Sequence, residues 1–225
     1  MRYKNKPKTV FRKNPCDFFR YGKVKNEGDD GPYLPNLKYG LKPFSIRFRK
    51  GVNMFVKFKL KNRILVDGKE GSGKTWFCRE FIDSFLNKGW NVSLLAYVDY
   101  HEGDVVEFGE RYEGKADLVV AVSDEKKENI LDILLSEQKQ RLDILNKRGV
   151  MREPLQIAVF DECGYFEGEQ REKLIKVLQN ADKCNQIVLM TYQHKPPMAE
   201  AGKYFNTKVH VDYLTHKPSS VTIDE

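Results

Sequence analysis

From about residue 60 onward, short apolar runs alternate with stretches of helical periodicity. Arg63–Asp67 (RILVD), Val92–Val98, Leu118–Val122, Leu155–Phe160, Ile187–Thr191 and Thr207–Tyr213 read as strands. Between them, Phe77, Phe81 and Phe85 recur at i, i+4, i+8, which predicts a helix over 74–88 with Gly89 as its stop. A second, long helix runs from a cap at Ser123 or Asp124 to Arg148. It carries Leu131, Leu135, Leu142 and Leu145 on one face, and Gly149 ends it. A third covers 169–183, and a polar tail follows Tyr213. Apolar strands separated by helices predict an α/β fold, a mainly parallel central sheet covered by helices on both faces.

The first fifty residues differ. Pro7, Pro15, Pro32, Pro35 and Pro43 interrupt any helix, and Tyr3, Phe11, Phe18, Phe19, Tyr21, Tyr33 and Tyr39 are interleaved with Lys and Arg. The pattern predicts a basic, aromatic-rich N-terminal arm over 1–50, lying on a partner or a neighbouring subunit, and a domain over 51–225. At the start of that domain Met54, Val56, Phe58 and Leu60 alternate with other residues as a half-buried strand does.

Charge sharpens the division. Of 225 residues, 39 are Lys or Arg and 32 are Asp or Glu, but residues 1–63 hold 18 of the basic and only 4 of the acidic ones. A polyanion partner for the N-terminal part follows. Lys and Arg there would neutralise phosphates while aromatics stack on bases, or the arm docks on another protein, a subunit or anionic lipid; both readings stand. No stretch approaches the roughly 18 continuous apolar residues of a membrane span. The basic start lacks an apolar core, so it is not read as a secretory signal. Cys16, Cys78, Cys163 and Cys184 are scattered and form no Cys-x-x-Cys, which fits a reduced, intracellular setting. His101, His194, His210 and His216 show no ligand spacing.

The chemistry begins at Gly68-Lys69-Glu70-Gly71-Ser72-Gly73-Lys74-Thr75, which fits G-x-x-x-x-G-K-[ST] between a strand and a helix. Gly68, Gly71, Ser72 and Gly73 allow backbone N–H groups to turn inward around a phosphate, and the helix start presents further open N–H groups. Lys74 is placed to reach the β- and γ-oxygens of a bound triphosphate, and the Thr75 hydroxyl to ligate Mg²⁺. Downstream, an apolar strand ends in Asp161-Glu162. In a parallel sheet that end lies at the same edge as the glycine loop. Asp161 then serves the Mg²⁺ and Glu162 polarises the attacking water, which implies hydrolysis. The next strand ends in Thr191-Tyr192-Gln193, with Gln193 the candidate γ-phosphate sensor and Thr191 the reserve. Cys163 reads as a partly buried free thiol, and Asp99 as a strand-end residue near the nucleotide or a turn cap.

Together the glycine loop, Asp161-Glu162 and the Gln193 strand with prolines following resemble the FtsK–HerA superfamily of hexameric, DNA-pumping P-loop ATPases, over about residues 60–213. Glu137, Arg141 and Gly149-Val150 are similar to the end of an FtsK helix, although Glu137 and Arg141 also fit a surface i,i+4 pair. A short chain bearing only the motor resembles the genome-packaging ATPases of tailless, membrane-containing icosahedral viruses. The resemblance implies a RecA-like fold, ATP and Mg²⁺, a hexameric ring, double-stranded DNA as cargo, and capsid or membrane-vertex proteins as partners. It places the chain in the host cytoplasm or on the virion. The alternatives in the same vein are a DNA-transfer ATPase of a plasmid or filamentous phage, and an ATP-dependent assembly switch without translocation. The family also supplies an arginine in trans, for which Arg148, Arg152 and Arg171 are the candidates, with Lys183 as a substitute. One departure is that Tyr192 separates the threonine from the glutamine and His194-Lys195 stands in place of the arginine.

Overall fold

The computed structural model describes residues 19–22, 44–47, 55–58, 62–87, 89–98, 102–116, 118–122, 127–149, 153–161, 166–192, 201–214 and 217–224. In chain order the strands are β1 Phe19–Gly22, β2 Phe44–Arg47, β3 Phe55–Phe58, β4 Arg63–Asp67, β5 Val92–Val98, β6 Leu118–Val122, β7 Leu155–Asp161, β8 Gln186–Tyr192, β9 Thr207–Leu214 and β10 Lys217–Asp224. The helices are α1 Lys74–Leu86, α2 Glu102–Tyr112, α3 Lys127–Arg148 and α4 Gly168–Asn180.

Eight strands form one sheet in the order β1-β6-β5-β7-β8-β4-β9-β10. The six from β6 to β9 run parallel, and β1 and β10 close the edges antiparallel. β2 and β3 form a separate hairpin. Every residue of β7 is buried, as expected of a parallel strand covered on both faces. Successive side chains alternate between two cores. Ile64, Val66, Leu94, Ala96, Ile157, Val159, Ile187 and Leu189 face α1 and α2, packing on Phe77, Phe81, Phe85, Phe108 and Tyr112. Leu65, Leu95, Ala158, Phe160, Val188 and Met190 face α3 and α4, packing on Ile130, Leu131, Leu134, Leu174, Val177 and Leu178. Each fully buried Phe of α1 contributes roughly 1.5–3 kcal/mol, so the helix that follows the glycine loop is anchored through its own apolar stripe. Its end is closed as expected, with Gly89 at φ 77 and Trp90 N–H donating to Phe85 O at 3.2 Å.

Four features differ from the sequence reading. The region before β6 contains α2, whose Phe108 and Tyr112 are buried one turn apart. The expected polar tail is β10, an edge strand held by pairing with β9. Phe19–Gly22, within the expected arm, pairs with β6 of the chain's own sheet. Arg141 is not half of a surface pair: it is 4% exposed, and its Nη1 donates to Pro154 O at 2.8 Å and Cys184 O at 3.2 Å. Burial is the main cause lowering its pKa, and the nearby Glu137 carboxylate opposes that. Beside it Gln138 Nε2 donates to Val177 O at 2.8 Å and Gln186 Oε1 at 2.7 Å, so α3 is pinned to α4 and the sheet by polar contacts at the N-terminal edge. On the leucine face, Leu131 is buried and Leu135, Leu142 and Leu145 are half-buried. The cap expected at Ser123 or Asp124 lies outside the described residues.

Candidate active site

The site is built at the C-terminal edge of the parallel strands. β4 delivers the glycine loop, β7 delivers Asp161, and β8 lies between them. In register Val66 stands beside Thr191, and Phe160 beside Met190. Asp161 and Thr191 follow the alternation of the α1-side core, so both side chains lie on the face from which α1 rises.

Within the loop, Gly68, Gly71 and Gly73 have φ of 154°, 68° and 94°, and Gly73 stands in left-handed geometry at the cap of α1. A Cβ on Gly68 would collide with Ser72 Oγ and with the backbone carbonyl of Val211, so that glycine is also required by close approach to β9. Ser72 N–H donates to Lys69 O at 3.0 Å, closing a turn, and no side chain caps α1. Lys74 is 2% exposed, and its ammonium donates to Gly68 O and Lys69 O, each at 3.1 Å. The cation is therefore held inside the loop. Thr75 follows in the first turn, half-buried.

On β7, Asp161 is 3% exposed and its Oδ1 accepts the Thr191 hydroxyl at 2.7 Å. Thr191, the reserve sensor, is thus tied to the acidic strand. Glu162, Gln193, Arg152, Cys163 and Asp99 lie outside the described residues. Of the other arginines, Arg171 is in the first turn of α4, at the C-terminal edge of the strands, and half-buried. Arg148 is exposed at the end of α3, which returns the chain to the opposite edge.

Cys78, one turn along α1, is buried. Burial is the main cause pushing its thiol well above the ordinary range, the Asp161 carboxylate adds to it, and the Arg79 and Lys74 charges oppose it. An inert thiol beside the carboxylate results.

The donor set fits Mg²⁺. A hydroxyl on a helix's first turn and one buried carboxylate are hard oxygen ligands, and this ion completes its shell with water and phosphate oxygens rather than a protein cage. Among the described residues no group of three His, Cys, Asp or Glu forms a metal cluster, and no helix there is long and apolar enough to cross a membrane.

Sequence reasoning missed one neighbouring cluster. Asp67 accepts the Tyr192 hydroxyl on Oδ2 at 3.2 Å, and His210 Nδ1 lies 2.6 Å from its Oδ1. Burial and the Asp67 carboxylate push the Tyr192 phenol up to about 12. Only strand register brings these residues together, and local sequence carries no signal of it.

No protein-family model and no curated protein matches the chain. Solved structures do. EssC (ATPases 2 and 3) from Geobacillus thermodenitrificans has a TM-score of 0.55 at 14% identity, with 83% of this chain and 40% of that one covered. The pCW3 conjugation coupling protein TcpA, a monomer form with ATPγS, gives 0.54 at 17%, covering 79% and 56%. The cytoplasmic domain of the type VII secretion ATPase EccC from Thermomonospora curvata gives 0.54 at 13%, covering 79% and 22%. The chain thus spans less than two thirds of each. These are FtsK/HerA-type ATPases, and the likeness establishes the fold that the sequence resemblance implied, an α/β, RecA-like architecture with a mainly parallel sheet flanked by helices.

Proposed function

We propose that the chain is an ATP-hydrolysing DNA translocase, and that its cargo is double-stranded viral genomic DNA entering a capsid. The observation that carries the reading is the convergence at one sheet edge of the glycine loop, with Lys74 folded into it, and the buried Asp161–Thr191 pair one strand away. A site of that composition binds a triphosphate by backbone amides and holds a divalent cation through oxygen.

The roles follow. N–H groups of Gly68, Gly71, Ser72, Gly73, Lys74 and Thr75 surround the phosphates, and Lys74 neutralises charge on the β- and γ-oxygens. Thr75 and Asp161 hold Mg²⁺, which when bound offsets charge developing on the phosphates. Glu162 accepts a proton from the attacking water, and Gln193 contacts the γ-phosphate. Subunits form a hexameric ring in the host cytoplasm, at a capsid or membrane vertex. Arg171, at the catalytic edge, is the first choice for the residue acting in trans, ahead of Arg148 and Arg152. Support for DNA as cargo comes from the basic excess of residues 1–63. Support for packaging comes from the likeness of the motifs to those of viral packaging ATPases.

The test is ATP turnover with and without double-stranded DNA, alongside displacement of the third strand of a triplex. DNA-stimulated turnover with displacement is expected from the wild type, and Glu162→Gln is expected to retain nucleotide and lose turnover. Turnover without displacement identifies an assembly switch instead. Undiminished turnover in Glu162→Gln removes that residue from the role of base.

A further inference from the structure

The Asp67–Tyr192–His210 cluster lies behind the site. Asp67 pairs in register with Tyr192 of β8 on one side and His210 of β9 on the other. Its carboxylate takes the Tyr192 hydroxyl and the His210 ring nitrogen, one on each oxygen. A carboxylate has no proton to give, so both neighbours donate. The Tyr192 side chain rests on the core of the α3 and α4 face, opposite the face of Asp161 and Thr191.

Each member is one residue from a part of the phosphate site. Asp67 precedes Gly68, Tyr192 follows Thr191, and His210 precedes Val211, whose carbonyl abuts Gly68. β4 and β7 do not pair directly, and β8 is the strand between them. The spacing between the glycine loop and Asp161 therefore passes through the end of β8, where Asp67 and Tyr192 form the last register pair with β4.

We propose that Asp67, Tyr192 and His210 are positioning residues that lock three strand ends, so that the Thr191–Asp161 pair keeps its register with the glycine loop. The proposal rests on the reading of the site as ATP-hydrolysing. Nucleotide affinity comes from the loop's own amides and the Lys74 ammonium, whereas the Tyr192 hydroxyl donates to Asp67. Alignment of the hydrolytic groups across β8 is what the cluster controls. A displacement of about 1 Å there costs up to about a hundredfold in rate.

The test uses the full chain with Tyr192→Phe, which keeps the ring in the core and removes only the donor. Asp67→Ala and the double variant accompany it. Turnover, KM for ATP, affinity for a fluorescent ATP analogue and melting temperature are read together. Tyr192→Phe is expected to lower kcat about tenfold while KM and analogue affinity stay within about twofold and the melting temperature holds. The double variant is expected to be no slower than Asp67→Ala, since both remove one coupled unit. Unchanged kcat in Tyr192→Phe overturns the proposal, and so does a parallel fall of kcat, affinity and melting temperature, which marks a purely structural cluster. A wild type that binds no ATP analogue overturns the proposed function and this inference with it. A wild type that binds and hydrolyses while Tyr192→Phe matches it overturns the positioning role alone.

Discussion

The Thr191 hydroxyl donates to Asp161 Oδ1 at 2.7 Å, joining β8 to β7 at the edge where the glycine loop emerges. Asp161 is almost fully buried, and a buried carboxylate needs such donors to stay ionised. Thr191→Val keeps the shape and removes the donor. Loss of one hydrogen bond to a buried charged group is expected to cost about 1.5–3 kcal/mol of stability. Turnover is expected to fall at least about tenfold because the carboxylate loses its orientation. Denaturant unfolding and steady-state ATPase rates check both numbers.

Gly71 faces open space, whereas Gly68 has no room for a side chain. A methyl there meets Ser72 Oγ and Val211 O, and the φ of 154° disfavours any side chain. Gly68→Ala is expected to open the loop away from β9, weakening ATP-analogue binding by at least about tenfold and lowering the melting temperature. Lys74→Ala leaves the glycines in place. It is expected to lose nucleotide binding with a near-native circular dichroism spectrum, since the bonds to the Gly68 and Lys69 carbonyls are made within the loop itself. Fluorescence titration of both variants separates the loss of shape from the loss of charge.

The alternation of strand and helix was legible because β7 and β8 are buried on both faces and are apolar nearly throughout, β9 alternates buried Val209 and Val211 with exposed Lys208 and His210, and α1 and α3 carry clear stripes. The glycine loop was legible because its spacing is local. Strand order was not: nothing in the residues of β8 announces that it lies between β4 and β7, and the Asp67 cluster exists only through that order. Helix α2 was hidden because Gly103 and Gly109 dilute its helical signal, although Phe108 and Tyr112 at i, i+4 were its buried trace. β10 starts Lys217-Pro218-Ser219-Ser220, poor strand formers, and is a strand because β9 offers an edge; Val221 and Ile223 were the visible alternation. Glu137 and Arg141 have spacing that fits a surface pair equally well, and only tertiary packing buries the arginine.

That burial yields a contrasting prediction. Arg141 holds Pro154 O and Cys184 O at the sheet edge opposite the glycine loop. Arg141→Met fills the volume but leaves the buried Cys184 carbonyl and the partly buried Pro154 carbonyl without that donor, at up to about 1–3 kcal/mol for each orphaned group. Stability is expected to drop by a few kcal/mol while ATP turnover per folded molecule is unchanged. Denaturant midpoints and active-site titration distinguish the two. A loss of turnover at full folding assigns Arg141 to the motor rather than to the scaffold.

The last prediction concerns alkaline pH. Burial first, and then the Asp67 carboxylate, push the Tyr192 phenol from 10.0 to about 12. A phenol is neutral when protonated, so the folded chain holds this proton more tightly than the unfolded chain does. Below pH 10 both states keep it and its contribution to stability is fully present. Between about pH 10 and 12 the unfolded state releases it first, and stability falls as pH rises through that window. Tyr192→Phe cannot release a proton there, so its stability is expected to decline less steeply over that range than the wild type's. The buried Tyr112, shifted further in the same direction, remains in both proteins and cancels in the comparison. Urea midpoints measured every half unit of pH across that window give the two slopes. Equal slopes would mean that Tyr192 titrates as it does in the unfolded chain and that its hydroxyl is not held by Asp67 in solution.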